Sequence, residues 1–334
     1  PRVSDQQIEK LLGLDRTDAW HTREPELPDA LAVIVPSDEH FEAESYQPPD
    51  DAIEAVKSAH WMGHANRLSQ EHHAWPVIAQ VEQACRKPAG WPVGWRGVSV
   101  AEVRNIKQTA DRVTAAQIVR QRRSALAMDG TTSISVDQLY NTLTRVIPDI
   151  TPMPWDAQPW PTCVHLVIFV HRVDDLLPGL YVLVRSPEDE PALRRAMKAD
   201  FRWLKPTGCP NDLPFYLLGE ADVRQTAVMV NCNQSIAGDS AFSLGMLARF
   251  EPILREHGAF LYRNLFWKTG MIGQVLYLEA EAMGVRSTGI GCFFDDPVHD
   301  VFGLGTNAFQ SLYHFTIGGA VEDPRLSSEP AYRP

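Results

Sequence analysis

Two short stretches of this sequence carry residues able to do chemistry. In the first, Arg120, Arg122 and Arg123 crowd against Ser124 in a chain whose formal net charge is −11. Guanidinium groups beside a hydroxyl can hold a dianion such as a phosphate through paired hydrogen bonds. The same residues also suit a solvated helix end, where the dipole favours cations. In the second stretch, Gly284–Asp296 (GVRSTGIGCFFDD), Gly289 and Gly291 flank one residue ahead of Cys292. Two such glycines let the backbone approach a flat ligand or take up positive φ, and they equally make a tight turn. Cys292 itself reads as a small buried apolar side chain, which leaves any function to its backbone. His60 and His64 stand at i, i+4 with His72 and His73 nearby. A third ligand and an H-E-x-x-H neighbour are lacking, so no metal site is expected. No P-loop and no G-x-S-x-G elbow is present.

Several elements must position these stretches. Apolar spacing predicts helices within 52–87, with Ile53 and Val56 on one face and Val77, Ile78, Val81 and Cys85 on another after Pro76, which suits a first helical position. Further helices are expected over 101–121, 251–257 and 271–283, the last with a wide apolar face. Val164–Val170 (VHLVIFV) is a continuous apolar run and reads as a strand buried on both faces. Weaker strands are expected over 179–184, 213–218, 227–232, 241–247 and 313–317. Strands and helices interleave without a βαβ period, which points to an α+β fold.

Three separated pieces resemble the nitroreductase family, and more narrowly its SagB-type dehydrogenases that oxidise azoline rings in ribosomal peptides. They are Gln121-Arg122-Arg123-Ser124, Pro178-Gly179-Leu180-Tyr181, and Gly270–Gly291 with Gln274, Tyr277-Leu278-Glu279-Ala280 and Gly284. The resemblance implies an α+β, nitroreductase-like FMN-binding fold, a mixed central sheet flanked by helices in an intertwined dimer. It implies FMN as cofactor, with Arg122, Arg123, Ser124, Gln274, Arg286, Gly289, Gly291 and Cys292 around it. Leu126 stands where family members often carry a further basic residue, so the phosphate grip is expected to be either weaker or completed elsewhere, with Arg286 as a candidate. Trp155–Trp160 replaces a Ser/Gly-rich or Asn-bearing flavin loop with either an aromatic pocket wall or core anchors. For a base that takes a substrate proton, Tyr181, Lys205, Tyr216 and Lys268 are all candidates. A fold copy without flavin, binding a peptide or partner, and an NAD(P)H-fed nitro or quinone reductase are the competing readings.

At 334 residues with 44% hydrophobic and 22% charged content, the chain is of ordinary globular composition. The acidic balance speaks against nucleic acid. No apolar run is long enough to span a membrane and Pro1–Lys10 lacks a signal-peptide core. Five scattered cysteines without C-x-x-C spacing predict no disulfide framework and suit a reducing cytoplasm. Ser4–Leu14 resembles Asp295–Leu304: each has an acidic residue, an amphipathic turn and a terminating Gly-Leu. Residues 1–36 therefore read as the tail of a preceding or truncated copy, 37–100 as an acidic linker with a helical segment, and 101–325 as the FMN domain. Chance similarity over ten residues is the alternative. The absent initiator Met fits a fragment and fits Met removal equally. The expected partners are a small-molecule or peptide substrate and either a homodimer or a tandem pseudo-dimer.

Overall fold

Residues 3–16, 24, 26–29, 31, 47–63, 66–71, 73, 75–88, 113–148, 154–155, 160–325 and 327 are described by the structure, a computed structural model. Contacts divide the chain into two units, 1–96 and 97–334.

The first unit holds α1 (Asp5–Leu12), α2 (Asp50–Ser58) and α3 (Pro76–Ala84). Ser4 and Gln7 cap α1 reciprocally through a capping box. Its end is set by Gly13 at φ 68°, a left-handed residue that costs least as glycine. Helix α1 packs on α2, Asp5 accepts from the Lys87 amide at 2.9 Å, and Arg86 pairs with Glu9 at 2.9 Å. Segments expected to belong to a tail and to a linker thus share one unit. Residues 32–46 and 89–112, where the two expected boundaries fall, lie outside the described residues. Pro76 does open α3, yet Val77 and Ile78 are exposed and only Cys85 beyond its end is buried.

In the second unit α4 (Ala115–Gln121) precedes β1 (Ile134–Ser135) and α5 (Val136–Arg145). The strands β2 (Val164–Val170), β3 (Val173–Asp174) and β4 (Gly179–Leu183) follow, then α6 (Glu190–Ala196) and β5 (Phe215–Glu220). Next come α7 (Arg224–Val230), α8 (Ile236–Asp239), β6 (Phe242–Arg249), α9 (Glu251–His257) and α10 (Leu261–Ala282). The elements close with β7 (Arg286–Ile290), α11 (Asp295–Phe302) and β8 (Phe309–Gly318). Six strands form one sheet in the order β5-β4-β2-β6-β8-β7. Every residue of β2 is buried, as its unbroken apolar run demands of an interior strand covered on both faces. All ladders of this sheet are antiparallel; among the described residues, parallel pairing is confined to β1 with β3 and to an isolated bridge between Ser124 and Ser287.

The stretch expected as a strand over 227–232 is instead the end of a helix, through Val230, followed by a turn. Asp222 accepts from the Arg224 amide at 3.2 Å just ahead of α7, and Ala227 and Val230, three apart, are its buried positions. A four-residue apolar run cannot tell the two apart by periodicity. Of the helix expected over 101–121, residues 115–121 are helical and 101–112 lie outside the described residues. Helix α10 is 22 residues long and lies across β7 and β8. Ile272, Leu276 and Ala280 form its fully buried seam. Helix α11 ends as α1 does: Gly303 has φ 79°, and the Leu304 amide reaches the His299 carbonyl at 2.9 Å, as Leu14 reaches Glu9 at 2.9 Å.

Candidate functional site

The sheet edge brings the two chemical stretches together. Beyond β7 the chain after α4 runs alongside as one more partner: Ser124 bridges Ser287, and the Ala125 amide donates to the Ser287 carbonyl at 3.0 Å. This seats Arg123, Ser124 and Leu126 on one wall of an open cleft of about 590 Å³, with Arg286 from β7 and Glu322 and Asp323 from beyond β8 around it. Arg123 donates to the carbonyls of Arg120 and Arg122 at 3.0 and 2.8 Å. Arg286 pairs with Glu281 at 3.3 Å and lies 3.9 Å from Glu322. Gln121 donates to the other oxygen of Glu281 at 2.9 Å. Asp323 is held by Arg325, which keeps its carboxyl below the usual range.

The remaining expected residues are placed differently. The Arg122 guanidinium lies over the Tyr277 ring, 4.6 Å from its centroid. Gln274 is exposed on α10, one turn before Tyr277. Gly289 pairs with Phe315 inside the β7–β8 ladder, and a Cβ there would overlap the Tyr313 hydroxyl. Its glycine is required by that side chain and not by positive φ. Gly291, just past β7, opens onto free space in which a Cβ would meet nothing within 4 Å. At the ordinary strand rise, Arg286 and Gly291 stand roughly 17 Å apart. The cysteines correct the expectation of no disulfide: Cys232 and Cys292 are joined, with Cα atoms 5.9 Å apart. Cys292 is exposed, against the reading of a buried apolar side chain. The tertiary fold brings the end of α7 against the end of β7, which no local C-x-x-C spacing announces. Gln234 bonds the Cys292 carbonyl at 3.0 Å and Phe294 the Val230 carbonyl at 2.8 Å, so this turn is tied down at three points.

Tyr277, Glu281, Glu322 and Asp323 went unassigned in the sequence. Only Tyr277 carried a signal, as part of a resembling segment with no role attached.

A dianionic phosphate fits this donor set. Two guanidinium groups and a hydroxyl from segments distant in sequence face one cleft. The pattern described as Nitroreductase family matches residues 152–319, about half of the chain. The chain belongs to the nitroreductase family. Among solved structures, an Anabaena variabilis protein assigned as a nitroreductase matches at 20% identity and TM-score 0.48, over 62% of this chain and 38% of that one. This chain thus spans little more than a third of that protein's length. The E. coli microcin synthetase McbBCD complex with truncated pro-MccB17 matches at 14% identity and TM-score 0.43, over 66% and 79%. The NADPH:FMN oxidoreductase of Vibrio harveyi, complexed with NAD+, matches at 14% and 0.37, over 65% and 73%. No curated protein sequence matches.

Within this nitroreductase-family chain the four base candidates separate. Tyr181 is fully buried, donates to the Leu177 carbonyl at 2.7 Å and stacks on Phe215, which makes it core. Tyr216 donates to Glu190 at 2.9 Å. Lys205 is exposed and bonds the Asn211 carbonyl at 2.7 Å. Lys268, on α10, donates to the Trp160 carbonyl at 3.2 Å, and burial pushes its pKa down to about 8. Trp155 is a core anchor, its indole N–H on the Arg145 carbonyl at 3.2 Å and the Arg185 guanidinium over its ring; residues 156–159 lie outside the described residues. So does His64, and His60 is exposed. No group of three metal-ligating side chains occurs among the described residues, and no helix there is long and apolar enough to cross a membrane.

Proposed function

We propose that this chain is an FMN-dependent oxidoreductase that dehydrogenates a peptide-derived azoline or a similar heterocycle. The observation that carries the reading is the meeting of Arg123, Ser124 and Arg286 on one cleft. These groups would hold the phosphate, and the Gly291 and Cys292 amides, fixed by the disulfide and by Gln234, would face the other end of an extended nucleotide. Bound FMN would supply the hydride acceptor. Amides held in place cost no reorganisation when negative charge develops nearby. Helix α10 leaves Phe266 39% exposed beside the open Gly270, a face suited to a second copy of the chain and so to a homodimer, or to a tandem copy.

A second reading has its own support. Glu322 and Asp323 oppose the two arginines across the cleft, and Leu126 is exposed where another cation was expected. A scaffold without flavin, binding a peptide or partner, follows from that balance.

Absorbance of the purified protein and the mass of any released cofactor separate the two. We expect flavin bands and FMN. Arg286→Ala should weaken FMN binding about 10- to 100-fold, the worth of a charge-assisted hydrogen bond. A colourless protein that takes up no added FMN overturns the enzymatic reading. Bleaching by NAD(P)H would instead favour a nitro or quinone reductase.

A further inference from the structure

One phenol joins the two limbs of the cleft. The Tyr277 hydroxyl lies 2.9 Å from Ser124 Oγ and 2.9 Å from the Gly289 amide nitrogen. Its ring is held edge-on against Phe315, 4.8 Å between centroids, and carries the Arg122 guanidinium on its face at 4.6 Å. The sense of these bonds follows from what each atom can do. An amide N–H only donates, so Tyr277 Oη accepts from Gly289. The phenol proton then needs an acceptor, and among the described residues Ser124 Oγ is the oxygen bonded to it. Donation from Tyr277 to Ser124 is the arrangement that gives the phenol proton a partner. With that lone pair occupied, the Ser124 proton is biased outward, toward the cleft that this side chain lines.

We infer that Tyr277 is a positioning residue that orients Ser124 to donate to a phosphoryl oxygen. The inference rests on the reading of the cleft as a flavin-phosphate site. A serine free to rotate offers an anion either its proton or a repelling lone pair; a bond from Tyr277 to one lone pair biases the rotor toward presenting the proton. The cation over the ring face draws electron density from the phenol and strengthens its donation. The same hydroxyl ties the serine to the β7 backbone, so the anion's donor and the strand leading to Gly291 share one anchor.

The test compares FMN with riboflavin, which lacks the phosphate, by flavin-fluorescence titration of the full chain. Y277F should weaken FMN binding about tenfold and leave riboflavin binding unchanged. S124A should do the same, and the Y277F/S124A double variant should be no weaker than S124A alone, because both changes remove one bond. Equal losses for both flavins, or losses that multiply in the double variant, overturn the role of Tyr277 while the flavin site stands. If the unaltered chain takes up neither flavin, the site reading fails and this inference with it. Should Y277F not fold, 3-fluorotyrosine at position 277, a stronger donor of the same shape, should tighten FMN about twofold and riboflavin not at all. An unchanged FMN affinity there overturns the inference equally.

Discussion

Lys268 sets burial against charge within a single residue. Its amine donates to the Trp160 carbonyl, and burial pushes its pKa from 10.5 down to about 8. Between those values the unfolded chain holds a proton that the folded chain lacks. Stability from this residue therefore rises with pH through that window and is lost as pH falls toward 8. Lys268→Met should raise the unfolding free energy at pH 7 by about 1–3 kcal/mol and flatten its slope between pH 8 and 10.5. Urea unfolding at stepped pH checks both; an unchanged slope would show a solvated amine. Gly289 teaches the complementary lesson. Its glycine was legible as a site of close approach, but the approaching group is Tyr313, whose position depends on the β7–β8 register.

Among the elements, the turn after β7 is held most firmly by what the chain order hides. Cys232 and Cys292 close a loop of sequence separation 60, which by chain entropy contributes about 4 kcal/mol. The paired replacement C232S/C292S should lower the unfolding free energy by about 2–4 kcal/mol. Denatured protein should show three reactive thiols before reduction, those of Cys85, Cys163 and Cys209. A count of five would mean that the pair is open. By contrast the ends of α1 and α11 were legible locally. Acidic first turns, an apolar face and a terminating Gly-Leu dictate a short helix and a left-handed stop at Gly13 and Gly303 wherever they fall.

Across the whole molecule, buried neutral histidines set the acid limit. His314 is fully buried; Asn231 spends its amide on the Ala227 carbonyl, so its oxygen accepts from His314 Nδ1 at 2.7 Å, and Nε2 meets Ser311 at 3.0 Å. Burial pushes its pKa down to about 3 and that of His171 to about 4, and lowers that of His165 despite Asp189 at 3.2 Å. Below pH 6.5 the unfolded chain takes up protons that the folded chain refuses, so stability falls as pH drops toward 4, at about 1.4 kcal/mol per pKa unit for each group. Urea midpoints should decline steadily from pH 6.5 to 4, and a flat profile would contradict these burials. Taken alone, the sequence determined the α+β class, the buried run of β2 and the helix ends, because local periodicity and caps carry each of these. Only the tertiary structure decided that Arg286 shares their cleft, that Tyr277 bridges Ser124 to Gly289, and that Cys232 meets Cys292. Those are contacts between segments dozens to more than 150 residues apart, set by strand order and register, and no local pattern encodes which distant partner a side chain will meet.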